Sequence, residues 1–280
     1  MPLPSQSPEV AQAIRVIQST YGDTVSIEAK KKNLNKFGVN ALVGTSYETI
    51  AQFQSTESDE TFVTTNLIDS ISSSSASDTT QTIVVEGHTV DLSGNLTFVS
   101  QEAVLVGQTK VVLGTPLARA NRAYVKSTGT ALTYPAALVG TVYIYDDTAG
   151  VASGVPSFAS ATKLLIAAGE TSSQKCATSI SSADYFLITS IAVGVTAVTG
   201  GGGTAERIEA RIEIRDVANG GPWTPLGTDL GHTVSSNPVL IRPRPYLIVP
   251  KNHDIRMRAR SDSSTVAAYG EFAGMLASVV

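Results

Sequence analysis

The stretch 207-RIEARIEIR-215 carries a charge at every odd position and an apolar residue at every even one. That period leaves little choice of structure. In a helix, Arg207/Arg211, Arg211/Arg215 and Glu209/Glu213 would be like-charged neighbours four residues apart, each pair costing roughly 0.2–0.5 kcal/mol. In a strand, Ile208, Ala210, Ile212 and Ile214 share one face and the charges share the other. A shorter echo, 254-DIRMRARS-261, alternates Arg256, Arg258 and Arg260 with Ile255, Met257 and Ala259. Both segments read as half-buried strands. The arginine row is the natural cross-strand partner for Glu209 and Glu213, at about 0.2–1 kcal/mol per opposite-charge pair. The expectation is one solvated, cross-paired sheet face. The alternative is a polar contact between subunits, which salt would weaken.

The same signature continues elsewhere. Apolar centres at Ile83–Val85, Leu96–Val99, Val104–Val106, Val111–Leu113, Ala123–Val125 and Val142–Tyr145 follow one another at short spacing. Gly87, Ser93-Gly94-Asn95, Gly107, Gly114 and Gly129 separate them, which is the turn chemistry of a meander or sandwich. Beyond residue 163 the strands 185–195, 207–215, 238–241, 246–249, 254–260 and 266–277 suggest a second two-sheet sandwich, with a jelly roll as one topology open to it. The segment 148-TAGVASGVPSFASAT-162, rich in small residues, marks a boundary between the two. Near the start, Ser7 caps and Pro8 opens a helix whose apolar stripe is Val10, Ala13, Ile14, Ile17 and Tyr21, with Gly22 as its stop. That stripe must bury against the chain's own domains or a neighbouring subunit. Lys30, Lys31, Lys32 and Lys36 form a basic cluster on what reads as an extended arm.

The expected organisation is therefore mainly β. A helix and basic arm span 1–60, a first β-domain 61–150, a linker 151–162 and a C-terminal β-sandwich 163–280. Charged residues are only 16% of the chain and its formal charge is −4, so nucleic acid is an unexpected partner. One cysteine, Cys176, excludes an intrachain disulfide framework and a thiolate metal cage. No leader pattern opens the chain and no apolar run is long enough for a membrane helix, so neither export nor a membrane is expected.

Nothing in the residue spacing spells out catalysis. His88, His232 and His253 lack metal-ligand spacing, no serine sits in a nucleophile elbow, and Gly200–Gly203 is not followed by the Lys-Ser/Thr of a phosphate loop. Asp146-Asp147 reads as a polar turn rather than a calcium site. No enzyme, cofactor or metal is expected. Trp223, between Pro222 and Thr224, is a candidate anchor for a sugar or partner, against a plainer role in packing.

Several strings, 36-KFG-38, 45-TSYETI-50, 72-SSSSASDT-79, 85-VEG-87, 107-GQTKV-111, 119-RANRAY-124, 140-GTVYIYDD-147, 154-GVP-156 and 254-DIRMRA-259, occur in an order that resembles a group of virion structural proteins of tailed bacteriophages. The resemblance covers most of the chain from residue 36 and is densest between 70 and 156. It implies a non-enzymatic, β-rich particle component, made in the host cytoplasm and carried on the virion surface. Head decoration (cement) proteins of this kind are typically homotrimers bound to the major capsid protein. Tail, collar or fibre components, which contact tail proteins or a host-surface glycan, are the alternative. On this reading Val10, Ile14, Ile17, the four lysines, Arg119 and Arg122 are candidate assembly contacts, and Trp223 a candidate ligand contact. Gly87, Gly107 and Gly140 would mark turns or bulges with no room for a side chain.

Overall fold

A computed structural model describes residues 8–26, 33–54, 59–60, 62–126, 138–198, 207–227, 230–233, 239–243, 246–262 and 265–279. The fold is mainly β, with one α-helix among the described residues, Pro8–Tyr21, ahead of a long series of antiparallel strands.

Two sandwiches share the strands. In the first, Thr162–Ile166, Val142–Asp146, Ile68–Ser73 and Val111–Leu117 form one sheet, in that order. Leu96–Val104, Thr82–Val90 and Arg119–Val125 form the other. Their facing side chains, among them Ile71, Ile83, Val85, Leu105, Leu117 and Ile144, make one core. In the second sandwich, Val266–Val279 lies between Asp184–Val198 and the N-terminal strand Asn33–Val43. Opposite it, His253–Ser261 lies between Ala177–Ser179 and Arg207–Asp216. The alternation read from the sequence supplies this core, with Ile208, Ala210, Ile212, Ile255, Met257 and Ala259 facing Phe186, Ile188 and Phe272.

Two segments lie differently from the sequence-based expectation. Residues 33–43 are a strand of the second sandwich, paired from Asn33–Met275 to Val43–Val266, and not an arm. The reason was hidden by an inverted pattern. Lys36 and Asn40 face inward while Phe37 and Leu42 face out. The polar pair finds partners there, since Lys36 Nζ donates to the Asn121 carbonyl and Asn40 Nδ2 to that of Thr49. Residues 151–156, expected in a linker, form a hairpin. Its turn residues Ser153 and Gly154 both have positive φ, the geometry a tight two-residue hairpin turn demands. It docks through the Gly154 carbonyl, which accepts from Ser72 Oγ at 2.8 Å, and Thr162–Ile166 then completes the first sandwich by pairing with Val142–Asp146. The chain thus begins the second sandwich, leaves to build the first, and returns. Two covalent crossings therefore bridge one non-covalent seam.

The helix stripe is buried within the chain. Ala13 and Ile17 pack on Tyr185, Leu187 and Ala277, with Ile14 beside them, on the outer face of the Val266–Val279 sheet. Val10 is buried too; Tyr21, the last of the stripe, lies half exposed against the Tyr185 ring, and Val16 points outward.

Candidate functional site at the seam between the sandwiches

The site starts from the register of the two charged strands. Glu209 lies opposite Arg260, Arg211 opposite Arg258, Glu213 opposite Arg256 and Arg215 opposite Asp254. The expected cross-pairing is present: Arg260 Nη2 is 2.7 Å from Glu209, and Arg256 Nη2 is 2.9 Å from Glu213. The expected solvation is confined to one end. Arg260 stands 46% exposed, whereas the Glu213 side chain is 3% exposed and Asp254 has no exposure at all.

What covers the other end comes from Arg119 of the first sandwich, from Asp59 and Phe62 on the crossing between the sandwiches, and from Trp223. Asp254 accepts from Arg119 Nε at 2.8 Å and Nη2 at 2.9 Å, from Ser179 Oγ at 2.6 Å and from Arg215 Nη2 at 2.7 Å. Burial alone would raise its pKa. The guanidiniums of Arg119 and Arg215 and the Ser179 hydroxyl outweigh burial and hold the carboxylate below its ordinary value. Asp59 receives Arg256 at 3.2 Å and Arg258 at 3.1 Å. Phe62 lies under the Arg119 and Arg215 guanidiniums at 5.1 and 5.2 Å, and Trp223 under Arg256 at 4.0 Å and Arg215 at 4.9 Å. Flat guanidiniums stack on such rings while still donating in plane, so one arginine can serve a carboxylate and an aromatic at once.

A second polar cluster sits beside this one. Lys175 Nζ is 2.8 Å from Glu60 and also donates to the carbonyls of Ala120 and Lys163, both in the first sandwich. Burial raises the Glu60 carboxyl, with the Lys175 charge opposing it. Lys36 Nζ donates to the Asn121 carbonyl at 2.7 Å, and burial, reinforced by Lys175 and Arg122, lowers its pKa to about 7. His88 Nδ1 lies 2.8 Å from Asn121 Nδ2, and burial, helped by Lys36 and Arg119 against Asp254, lowers it to about 4. Burial also pushes the Cys176 thiol up, so it is no nucleophile as it stands. Next to this cluster a cleft of about 570 Å³ opens between the sandwiches, with Lys36, Glu86, His88, Phe98, Asn121 and Arg122 among its lining.

The residues singled out from sequence fall as follows. Arg119 is buried on Asp254, joining the two sandwiches, while Arg122 is half exposed over Tyr124 and 3.8 Å from Glu86. Trp223 stacks on Phe62 and the arginines, so its face is taken up by packing. Lys36 is brought to the seam; Lys30, Lys31 and Lys32 lie outside the described residues, as do Gly200–Gly203. Gly87 sits at a register shift beside Arg119, and a Cβ there would collide with the Arg119 carbonyl. Asp78, at the end of the serine run, accepts from Ser73 Oγ and the N–H groups of Val139 and Gly140, a turn-organising role. Sequence reasoning missed Asp254, Glu60, His88, Phe98 and Lys175 as members of one site. No fixed spacing joins them, because the fold draws them from five separate segments. Among the described residues no group of three or more His, Cys, Asp or Glu could hold a metal ion, and no helix is long and apolar enough to cross a membrane.

No family model and no curated protein matches the chain. Among solved structures, that of infectious bursal disease virus Gx strain aligns at 12% identity and a TM-score of 0.24, over 90% of this chain and 72% of that one. The VP2 subviral particle of the same virus aligns at 10% identity and a TM-score of 0.20, over 98% and 83%. Those values fall short of a shared fold and assign this chain nothing.

Proposed function

We propose that the chain is a non-enzymatic structural protein of a tailed-phage particle, acting as a homotrimeric decoration protein that clamps the major capsid protein of the head. The observation that carries this reading is the Asp254 cluster. Asp254 and Arg119, both buried charges, are bound to each other, and with Arg215 they fasten two sandwiches that the chain already crosses twice. A clamp needs a body that transmits load without hinging, and buried, hydrogen-bonded ion pairs fix one alignment of the parts they join. The resemblance of the short strings, in their order, to virion proteins of tailed phages supports the setting. Apolar groups for attachment stand at one end of the first sandwich, where Val104, Val106, Val112 and Val139 are each more than half exposed. Contact area adds about 25 cal/mol per Å² before association costs, and repetition over a shell multiplies weak contacts.

The test compares heads assembled with and without the chain. Heads lacking it should release their DNA at a lower temperature, and added purified protein should restore the difference. Equal release temperatures would contradict the clamp.

A further inference from the structure

We infer that Lys36 and Asn121 are a site of self-modification, where an isopeptide bond between their side chains ties one sandwich covalently to the other. The bond concerns two residues of the chain itself and is independent of where on a particle the protein sits. The two residues meet across the seam. Lys36 lies on strand Asn33–Val43 of the second sandwich and faces inward, 5% exposed. Asn121 lies on strand Arg119–Val125 of the first and is equally buried. Lys36 Nζ already stands 2.7 Å from the Asn121 backbone carbonyl oxygen, a few bonds from the side-chain amide carbon. A bulge puts Asn121 there. Glu86 pairs with Arg122 and Gly87 with Ala120, so Asn121 has no residue opposite it and its groups are re-aimed out of the ladder.

Three features suit the pair to amide exchange. The first is the nucleophile. Burial, with the charges of Lys175 and Arg122 against those of Glu86 and Cys176, lowers the Lys36 pKa to about 7, so much of it is neutral amine at neutral pH. Lys175, the other buried lysine here, is held by Glu60 and two carbonyls, whereas Lys36 Nζ makes one hydrogen bond among the described residues. The second is the electrophile. Asn121 Oδ1 is buried and has no partner among the described residues, so the amide can turn its carbon toward Nζ without breaking a hydrogen bond at the oxygen. The third is the leaving nitrogen, Nδ2, which is 2.8 Å from His88 Nδ1 and within reach of proton transfer. In the step, the Nζ lone pair forms the bond to Cγ. His88 Nδ1 accepts the proton that Nζ loses and passes it to Nδ2; its pKa of about 4 makes it release that proton readily. The electron pair returned from Oδ1 then breaks the Cγ–Nδ2 bond, and ammonia leaves. No oxidant or cofactor is needed. Ammonia departs through the cleft of about 570 Å³ that Lys36, His88 and Asn121 line, and its loss carries the exchange forward.

The experiment is intact-mass spectrometry of the purified full chain in denaturant, followed by tryptic digestion. The parent should weigh one ammonia less than its sequence. Trypsin does not cut at an acylated lysine, so the digest should contain residues 120–122 branched onto 33–110 through Lys36. Lys36→Met and Asn121→Leu should each restore the mass expected from the sequence. His88→Gln should slow the appearance of the bond after synthesis about 100-fold. The unreduced sequence mass in the folded parent, deamidation in its place, or ammonia loss without the branched peptide would each overturn the assignment. So would the same loss in Lys36→Met, or an unchanged rate in His88→Gln. The parent's mass and its branched peptide are read without any variant, so a variant that fails to fold leaves the decision intact. None of these results touches the clamp, which is read on heads.

Discussion

Replacing Asp254 by Asn tests the seam at its centre. The substitution keeps the shape and removes the charge. Asp254 is wholly buried and receives two bonds from Arg119, one from Ser179 and one from Arg215. Asn retains one acceptor oxygen and turns an NH2 toward a guanidinium that can only donate. Arg119, 4% exposed, is then a buried cation without its carboxylate. Removing one partner of such a pair costs about 3–5 kcal/mol. Arg215, 22% exposed, can turn to water and adds little. Against a total stability of roughly 5–15 kcal/mol this is a large share. At about 2 °C per kcal/mol for a chain of this size, the melting midpoint should fall by about 6–10 °C. Differential scanning calorimetry is the assay, because loosening the seam should also broaden or split the transition as the sandwiches melt separately. The double variant Arg119→Met/Asp254→Leu, which leaves no orphaned charge on Arg119, should recover part of the loss. A midpoint within about 1 °C of the parent for Asp254→Asn would refute the reasoning.

Three further outcomes follow from the same geometry. Glu209→Lys should shift stability by less than about 1 kcal/mol because its partner Arg260 is half exposed, while Glu213→Lys should cost several times more, as urea denaturation midpoints would show. Gly87→Val should cost about 1–3 kcal/mol or more by driving a side chain into the Arg119 carbonyl; a neutral result in the same assay would contradict the close approach. His88 supplies a pH dependence. Its folded pKa of about 4 lies below the ordinary 6.5, so the unfolded chain takes the proton first and stability falls as pH drops from 6.5 to 4, by about 3 kcal/mol in all. Asp254, held below its ordinary value, keeps its contribution above about pH 4 and loses it only as pH falls further. His88→Phe should flatten the 6.5-to-4 limb and leave the more acidic one, measured as urea midpoints against pH.

The sequence was informative where one face of a strand was apolar. Residues 207–215 and 254–260 could be read down to their partners, because Glu209 and Glu213 had opposite charges waiting at matching intervals. It misled where burial was polar. At 33–43 the inward residues before Val43 are Lys36, Gly38 and Asn40, so the alternation is present there with its sign reversed, and the lysine looked like part of an arm. The charged stripe misled in the same sense: Glu213 and Arg256 look like a wet face until Asp59, Phe62 and Trp223 cover them. Nothing local in Arg119 announces a partner 135 residues away at Asp254. Such a pair is set by how two sandwiches dock, which periodicity within either one does not encode.

Immunogold labelling of intact particles with an antibody raised against the purified chain tests the proposed role most directly. The account predicts gold spread over the whole head. Gold confined to the tail or its vertex, or particles that carry no label at all, would contradict it.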